Sequence, residues 1–296
     1  MRIGTRVSSV CKANTHCRGA LSSSGVFLAV MAMITALLVG SASGSGAAPR
    51  LAVQPQTSTP TYYLALGDSV PVWDGSHSYP HLLLAKYRQS MPSLQMTNLA
   101  VSGATTISMR TGGQYSAALA FLGAHEGHIA FITLDIGGND VLPCSHDTEF
   151  SQCTQVKAMK TNIEAMLTGL HGAAPGIPIF DMTYYDPLLG NWFVGGATRA
   201  NVLAGVPVLV DLNQTLTALY GAKYTAPVAT AFQVTDSTTF EASPWGHAPV
   251  DVVKACQWLD IVCHSGRAET FGDDPNVSGQ TQIAEAFEHV IGATTP

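Results

Sequence analysis

The chain has 296 residues, of which 46% are hydrophobic and 11% are charged, and its net charge is −6. This composition excludes a disordered chain, which would be poor in apolar residues and rich in charge. The acidic balance and the lack of a Lys/Arg cluster argue against a nucleic-acid-binding surface, so we expect a globular protein that binds no nucleic acid.

The first 48 residues have the layout of a secretory signal peptide. A basic segment without acidic residues is followed by the apolar run VFLAVMAMITALLV (26–39) and by small residues between Ser41 and Pro49. This run is shorter than the ~20 residues that span a bilayer, which favours a signal peptide over a membrane anchor. The predicted organisation is a signal peptide at 1–48, a linker at 49–61 and one domain at 62–296. The mature protein is expected outside the cell, free or associated with the envelope, as a monomer without stable membrane insertion.

Strand-like and helix-like segments alternate from residue 62 onwards. Strands are predicted at 62–66, 95–100, 129–136, 177–184 and 229–234. Helices are predicted at 79–89, 115–124, 155–170, 199–220, 250–258 and 279–291, with Pro207 interrupting the fourth. Such alternation is typical of an α/β protein whose central, mainly parallel five-stranded sheet carries helices on both faces.

Three of the predicted strands end in a polar segment that contains glycine. These segments are Gly67-Asp68-Ser69, Ser102-Gly103-Ala104 and Gly137-Gly138-Asn139-Asp140. Ligands of parallel sheets bind at the carboxyl ends of the strands, so the three segments are expected to share one site. A serine hydroxyl can attack a carbonyl, while a glycine N–H and an asparagine amide can donate to the oxyanion that forms. Each segment alone could be only a turn, but the three together favour acyl-transfer chemistry.

The same three segments resemble the motif blocks of the SGNH hydrolases, also called GDSL esterases or lipases. ALGDSVPVW places the family's catalytic serine at Ser69, NLAVSGATT (98–106) places its glycine at Gly103, and LDIGGNDVL (134–142) places its asparagine at Asn139. The resemblance implies a flavodoxin-like three-layer α/β/α sandwich. It also implies a secreted serine hydrolase that cleaves carboxylic esters of small molecules, lipids or acylated carbohydrates, without a metal or organic cofactor.

The last block of that family, Asp-x-x-His before the final helix, is missing here. The segment TFGDDPNVSGQ aligns through Pro275-Asn276, which puts Asp274 at the histidine position and Phe271 at the aspartate position. A one-residue deletion would instead let Asp273 stand for the acid.

A serine hydroxyl needs a base to become a good nucleophile. The candidate substitutes are His264, His247, Asp273 and Asp274, although a carboxylate of ordinary pKa is poorly matched to a hydroxyl. Two alternatives therefore stay open: an inactive protein of this fold that binds acyl or carbohydrate ligands, and a glycan acyltransferase.

Four cysteines follow the leader, in two close pairs. An even number of cysteines in an exported protein predicts disulfides. Three pairings are available, of which Cys144–Cys153 with Cys256–Cys263 is the simplest. No CxxC occurs, so a zinc site is not expected.

Overall fold

The computed structural model describes residues 59–144, 153–264, 267–269 and 274–294. The predicted signal peptide and residues 49–58 of the linker lie outside the described residues, so these assignments stay predictions.

Five strands form a parallel sheet: Thr61–Gly67 (β1), Leu94–Asn98 (β2), Ile129–Asp135 (β3), Ile179–Met182 (β4) and Thr225–Ala226 (β5). Their order in the sheet is β2-β1-β3-β4-β5. The register pairs Ala65 with Asn98 and Gly67 with Asp135, so β1, β2 and β3 end at the same edge. The predicted α/β fold with a five-stranded parallel sheet is confirmed, and its strand order is that of flavodoxin-like folds.

The helices form two groups, one for each face of the sheet. The chain moves outward from β1 to β2 and then back past β1 to β3, so right-handed crossovers place the intervening helices on opposite faces. The helices are Tyr79–Tyr87 (α1), Thr106–Thr111 (α2), Gln114–Ala124 (α3), Gly138–Val141 (α4), Gln155–Ala173 (α5), Ala197–Tyr220 (α6), Val228–Ala231 (α7), Val250–Trp258 (α8) and Val277–Gly292 (α9). In one group, α9 packs on α1, α7 and α8. In the other group, α2 and α3 pack on α5, and α5 packs on α6.

Two short antiparallel hairpins lie outside the central sheet. The first pairs Phe240–Ser243 (β6) with Gly246–Pro249 (β7), and the second pairs Val262–His264 (β8) with Arg267–Glu269 (β9).

Two predictions about the second half of the chain are wrong. The fifth strand is Thr225–Ala226 rather than 229–234, and the segment after it forms α7. Pro227 lies between the two and has no N–H for a sheet ladder, which ends the strand there.

Helix α6 also continues through Pro207 instead of breaking. Pro207 is exposed, so its ring causes no crowding in the core. The helical segments on both sides of it bury apolar side chains such as Val202 and Leu216, which stabilises the helix. Among the described helices, α6 alone is long and apolar enough to cross a membrane, a test that the core helix of a soluble protein also passes.

Both cysteine pairs lie at disulfide distance. The Cα atoms of Cys144 and Cys153 are 5.6 Å apart, and those of Cys256 and Cys263 are 5.9 Å apart. The predicted pairing is therefore confirmed, and the second disulfide joins α8 to β8.

Candidate active site

The first strand ends at Gly67, a position where only glycine fits. Gly67 has a φ of +142°, and a Cβ at this position would collide with the backbone carbonyl of Asp135 on the neighbouring strand. The side chain of Gln114 fixes the strand end, since it accepts from Gly67 N and donates to Gly67 O, both at 2.9 Å. The chain then turns sharply, and Ser69 O accepts from the N–H groups of Val72 and Trp73. The sequence thus places half-buried Ser69 on a rigid turn at the sheet edge.

Asp68 stabilises this turn through two hydrogen bonds. Its Oδ1 accepts from Val70 N at 3.1 Å, and its Oδ2 accepts from the Tyr184 hydroxyl at 2.9 Å. The ring of Tyr184 also lies against Gly138, where a Cβ would come within 2.8 Å of the ring. Tyr184 therefore contacts both the serine turn and the loop that carries Asn139.

The other two motif segments are tied to each other. Asn139 Nδ2 donates to Ala104 O at 3.0 Å, next to Gly103. Asp140 accepts from the N–H and the hydroxyl of Thr106, at 2.8 and 2.6 Å. Gly103 has a φ of +75° and open space where a Cβ would project, so backbone conformation rather than crowding favours glycine there.

Ser69, Gly103, Asn139 and Asp274 line one pocket of about 220 Å³. The structure therefore brings together the three residues predicted from the strand ends. It adds Asp274, a buried residue from the other end of the chain.

The four candidate bases differ in their position relative to the pocket and in whether the structure describes their side chains. None of the described residues that line the pocket is a histidine. His247 is exposed on β7, where its ring stacks on Phe240 with the centroids 5.5 Å apart, so it is not placed at Ser69. The side chain of His264 and the whole of Asp273 lie outside the described residues. Asp274 is thus the one candidate that the structure places in the pocket.

The start of α9 holds Asp274 beside the serine turn. Asn276 caps the helix, accepting from Ser278 N and Gly279 N at 3.0 and 3.1 Å. One turn later, the amide of buried Gln280 donates to Val70 O at 3.0 Å and accepts from Tyr79 N at 2.7 Å. Gln280, which directly follows the Pro-Asn-x-x-Gly part of the last block, therefore docks α9 against the loop that carries Ser69.

Sequence reasoning missed Tyr184 and Asp186, which also line the pocket. Burial raises the pKa of Asp186 to about 6, and this effect exceeds the opposing hydrogen bond from Leu188 N. In the segment YYDP, Tyr184 is the last residue of the fourth predicted strand and Asp186 follows it. A carboxylate just beyond a strand end is a signal that could have been used.

Two more carboxyl groups lie in the sheet below the site. Asp135 ends β3 and accepts from the Tyr79 hydroxyl at 2.6 Å, while Asp181 lies within β4. Burial raises the pKa of both carboxyls well above the ordinary value, and the charge of Asp68 adds to this. Within the described residues, no three His, Cys, Asp or Glu side chains are grouped so as to hold a metal ion.

Comparisons with known proteins agree with this geometry. The model of the GDSL-like lipase/acylhydrolase family matches residues 65–247, which include Ser69, Gly103 and Asn139 but not Asp274. A search of curated protein sequences finds no match.

Solved structures are similar at low identity. A protein from Parabacteroides merdae described as a GDSL-like lipase is 13% identical, with a TM-score of 0.51 over 78% of this chain and 95% of that one. Phospholipase A1 from Streptomyces albidoflavus is 18% identical, with a TM-score of 0.49 over 80% of this chain and 100% of that one. At 13% identity, the likeness to the Parabacteroides merdae protein shows the fold alone. The family model, in contrast, spans more than half of the chain, and the chain therefore belongs to the GDSL-like lipase/acylhydrolase family.

Proposed function

We propose that the protein is a secreted serine hydrolase that cleaves carboxylic esters of small molecules, lipids or acylated carbohydrates. The observation that supports this most is that Ser69, Gly103 and Asn139, from three separate strand ends, line one pocket. The two disulfides and the apolar leader support an oxidising location outside the cell.

In the proposed reaction, Ser69 Oγ attacks the ester carbonyl and forms a tetrahedral oxyanion. The N–H groups of Ser69 and Gly103 and the amide of Asn139 donate to this oxygen. One amide hydrogen of Asn139 is held by Ala104 O, which fixes the group and leaves the second for the substrate. Collapse of the oxyanion releases the alcohol, and water then hydrolyses the acyl-serine.

Asp274 is the proposed base that takes the proton from Ser69 and returns it to the leaving alcohol. It is one of three buried carboxyls that line the pocket with Ser69, and of these it is the one at the position of the family's histidine. A carboxylate is a weak base for a hydroxyl. We therefore expect slow turnover, since complete loss of the base in a serine protease lowers kcat by about 10⁶.

The test is hydrolysis of p-nitrophenyl acetate and butyrate by the mature protein and by Ser69→Ala. We expect Ser69→Ala to lose all activity above background. Ser90→Ala is the matched control, because Ser90 is exposed and its hydroxyl donates to Tyr87 O within its own helix end, away from the pocket lining. Equal rates for wild type and Ser69→Ala would overturn the proposal.

That last outcome would favour a second function, a protein that binds acyl or carbohydrate ligands without turning them over. The lack of a histidine among the described pocket residues favours this alternative. It predicts that wild type and Ser69→Ala bind an ester equally and hydrolyse it equally little.

A further inference from the structure

The lining of the pocket around Ser69 has polar and apolar parts. The polar part includes Ser69, Gly103 and Asn139. An apolar wall comes from helix α6, whose contribution follows one helical face at i, i+3, i+4 and i+7: Gly205, Val208, Leu209 and Leu212. A surface of this kind has no hydrogen bonds to offer and stabilises apolar groups.

Two neighbouring segments extend the apolar wall. Val141 and Leu142 follow Asn139 directly, and Pro187 and Leu188 come from the loop after β4. Val208 and Leu212 are only 4% and 1% exposed, so the wall is a preformed part of the folded protein. Because it shares one cavity with Ser69, a group bonded to the reacting carbonyl can lie on it.

The charged side chains among the described lining residues are all acidic. Asp68, Asp186 and Asp274 line the pocket, and the described lining residues include no Lys, Arg or His. A carboxylate or phosphate on the substrate would therefore meet like charges, and none of the described lining residues is a cation that could offset its desolvation.

We propose that the site takes esters of a neutral, apolar acyl group of medium length, and that the α6 face formed by 205, 208, 209 and 212 determines the length. This inference rests on the proposed function and names the substrate class of the same site. The pocket of about 220 Å³ is smaller than the ~300–1,000 Å³ of drug-sized ligand sites. It therefore suits several carbons rather than a long fatty acyl chain.

The first test is a series of p-nitrophenyl acetate, butyrate, hexanoate, octanoate and palmitate. We expect kcat/KM to rise from acetate to hexanoate, by up to about fourfold per methylene buried, and to stop rising at or before octanoate. The hemisuccinate ester has the four-carbon length of butyrate but carries a carboxylate, and we expect it to react at least ~10-fold more slowly. Acetate as the best substrate, or equal rates for butyrate and hemisuccinate, would overturn the inference.

The second test changes the wall. Leu209 is half-buried, so Leu209→Trp can be accommodated, and it should lower the ratio of hexanoate to acetate hydrolysis about 10-fold or more. Leu203→Trp is the control, because Leu203 is half-buried on α6 but does not line the pocket. Leu209→Ala should shift the optimum to longer chains, which keeps the test decisive if the Trp variant does not fold. An equal loss with every ester for Leu209→Trp would contradict the role of α6.

These outcomes are separable from a failure of the proposed function. Ser69-dependent hydrolysis without the chain-length or charge preference overturns only the inference. If the wild type does not hydrolyse esters, ligand-observed NMR of methyl hexanoate, methyl acetate and monomethyl succinate tests the same order as binding. Equal binding of the three would then overturn the inference.

Discussion

Tyr184 shows how a residue outside the sequence motifs can control the geometry of the site. Its hydroxyl donates to Asp68, the neighbour of Ser69, and its ring lies under Gly138, the neighbour of Asn139. Its backbone is in turn fixed by Asn213 of α6, which accepts from Tyr184 N at 2.7 Å and donates to Tyr184 O at 2.9 Å. A shift of this residue would move Ser69 and Asn139, the proposed nucleophile and oxyanion donor, relative to each other.

We therefore expect Tyr184→Phe to lower kcat by about 10-fold or more with a smaller change in KM, because displaced catalytic groups lose transition-state contacts. Loss of a hydrogen bond to a carboxylate should also cost about 1.5–3 kcal/mol of unfolding free energy. Esterase kinetics and urea unfolding check the two effects. The control is Tyr220→Phe, since the buried Tyr220 hydroxyl has no hydrogen-bond partner among the described residues. An unchanged kcat in a folded Tyr184→Phe protein would refute the positioning role.

Substitution of Asp274 tests directly whether a histidine at this position would supply the base that the last motif block lacks. We expect Asp274→His to raise kcat by about 10²-fold, since a base of matched pKa contributes about 10²–10⁴-fold. The neutral imidazole is the base, so the gain should develop as pH rises through about 6.5. Asp274→Asn should abolish the residual activity, and Asp211→His, at an exposed position of α6, should change nothing. If neither Asp274 variant alters the pH–rate profile, Asp274 is not the base.

At the scale of elements, α6 carries an unusual feature, an exposed proline within a continuous helix. Proline in a helix interior costs about 3 kcal/mol relative to alanine because it lacks the N–H. Pro207→Ala should therefore raise the free energy of unfolding by about 1–3 kcal/mol and leave ester hydrolysis unchanged.

Urea unfolding followed by circular dichroism measures this gain in stability. Gln214→Ala is the matched control on the exposed face of α6, and it should change stability by less than about 0.5 kcal/mol. A destabilised Pro207→Ala protein would speak against the continuous helix.

The elements also show what the sequence could predict and what it could not. Long apolar runs such as 129–136 identify central strands, and the boundaries of α8 were predicted as 250–258 and found there. The two-residue strand β5 and the hairpin β6–β7 were missed, because so few residues carry no periodic pattern and their pairing depends on the rest of the fold. In the site, Ser69, Gly103 and Asn139 lie in local motifs and could be predicted. Tyr184 and the α6 face could not, since only tertiary packing brings them to the pocket.

At the scale of the whole molecule, the carboxyls of Asp135 and Asp181 link stability to pH. Burial raises their pKa values above the unfolded value of about 3.9, so above that pH the native state holds protons that the unfolded state has released. Stability from these groups is fully present below about pH 4. It declines as pH rises towards the folded pKa, by up to about 1.4 kcal/mol per pH unit and per group.

Asp181→Asn should remove one of these groups. The unfolding free energy should then decline less steeply with pH, by up to about 1.4 kcal/mol per pH unit. Urea unfolding at pH 4.5, 5.5, 6.5 and 7.5 measures both slopes. Asp211→Asn, at an exposed position, should keep the wild-type slope. Identical slopes for wild type and Asp181→Asn would show that Asp181 is not a source of the effect.

The bridge made by Gln280 has a consequence for biosynthesis. Val70 and Gln280 are 210 positions apart, so the support behind the turn that carries Ser69 exists only after the chain has been made as far as Gln280. Closure of such a distant contact is slow compared with local folding. A nascent chain therefore carries Ser69 without this support until α9 has docked, and the proposed ester hydrolysis cannot begin before that step.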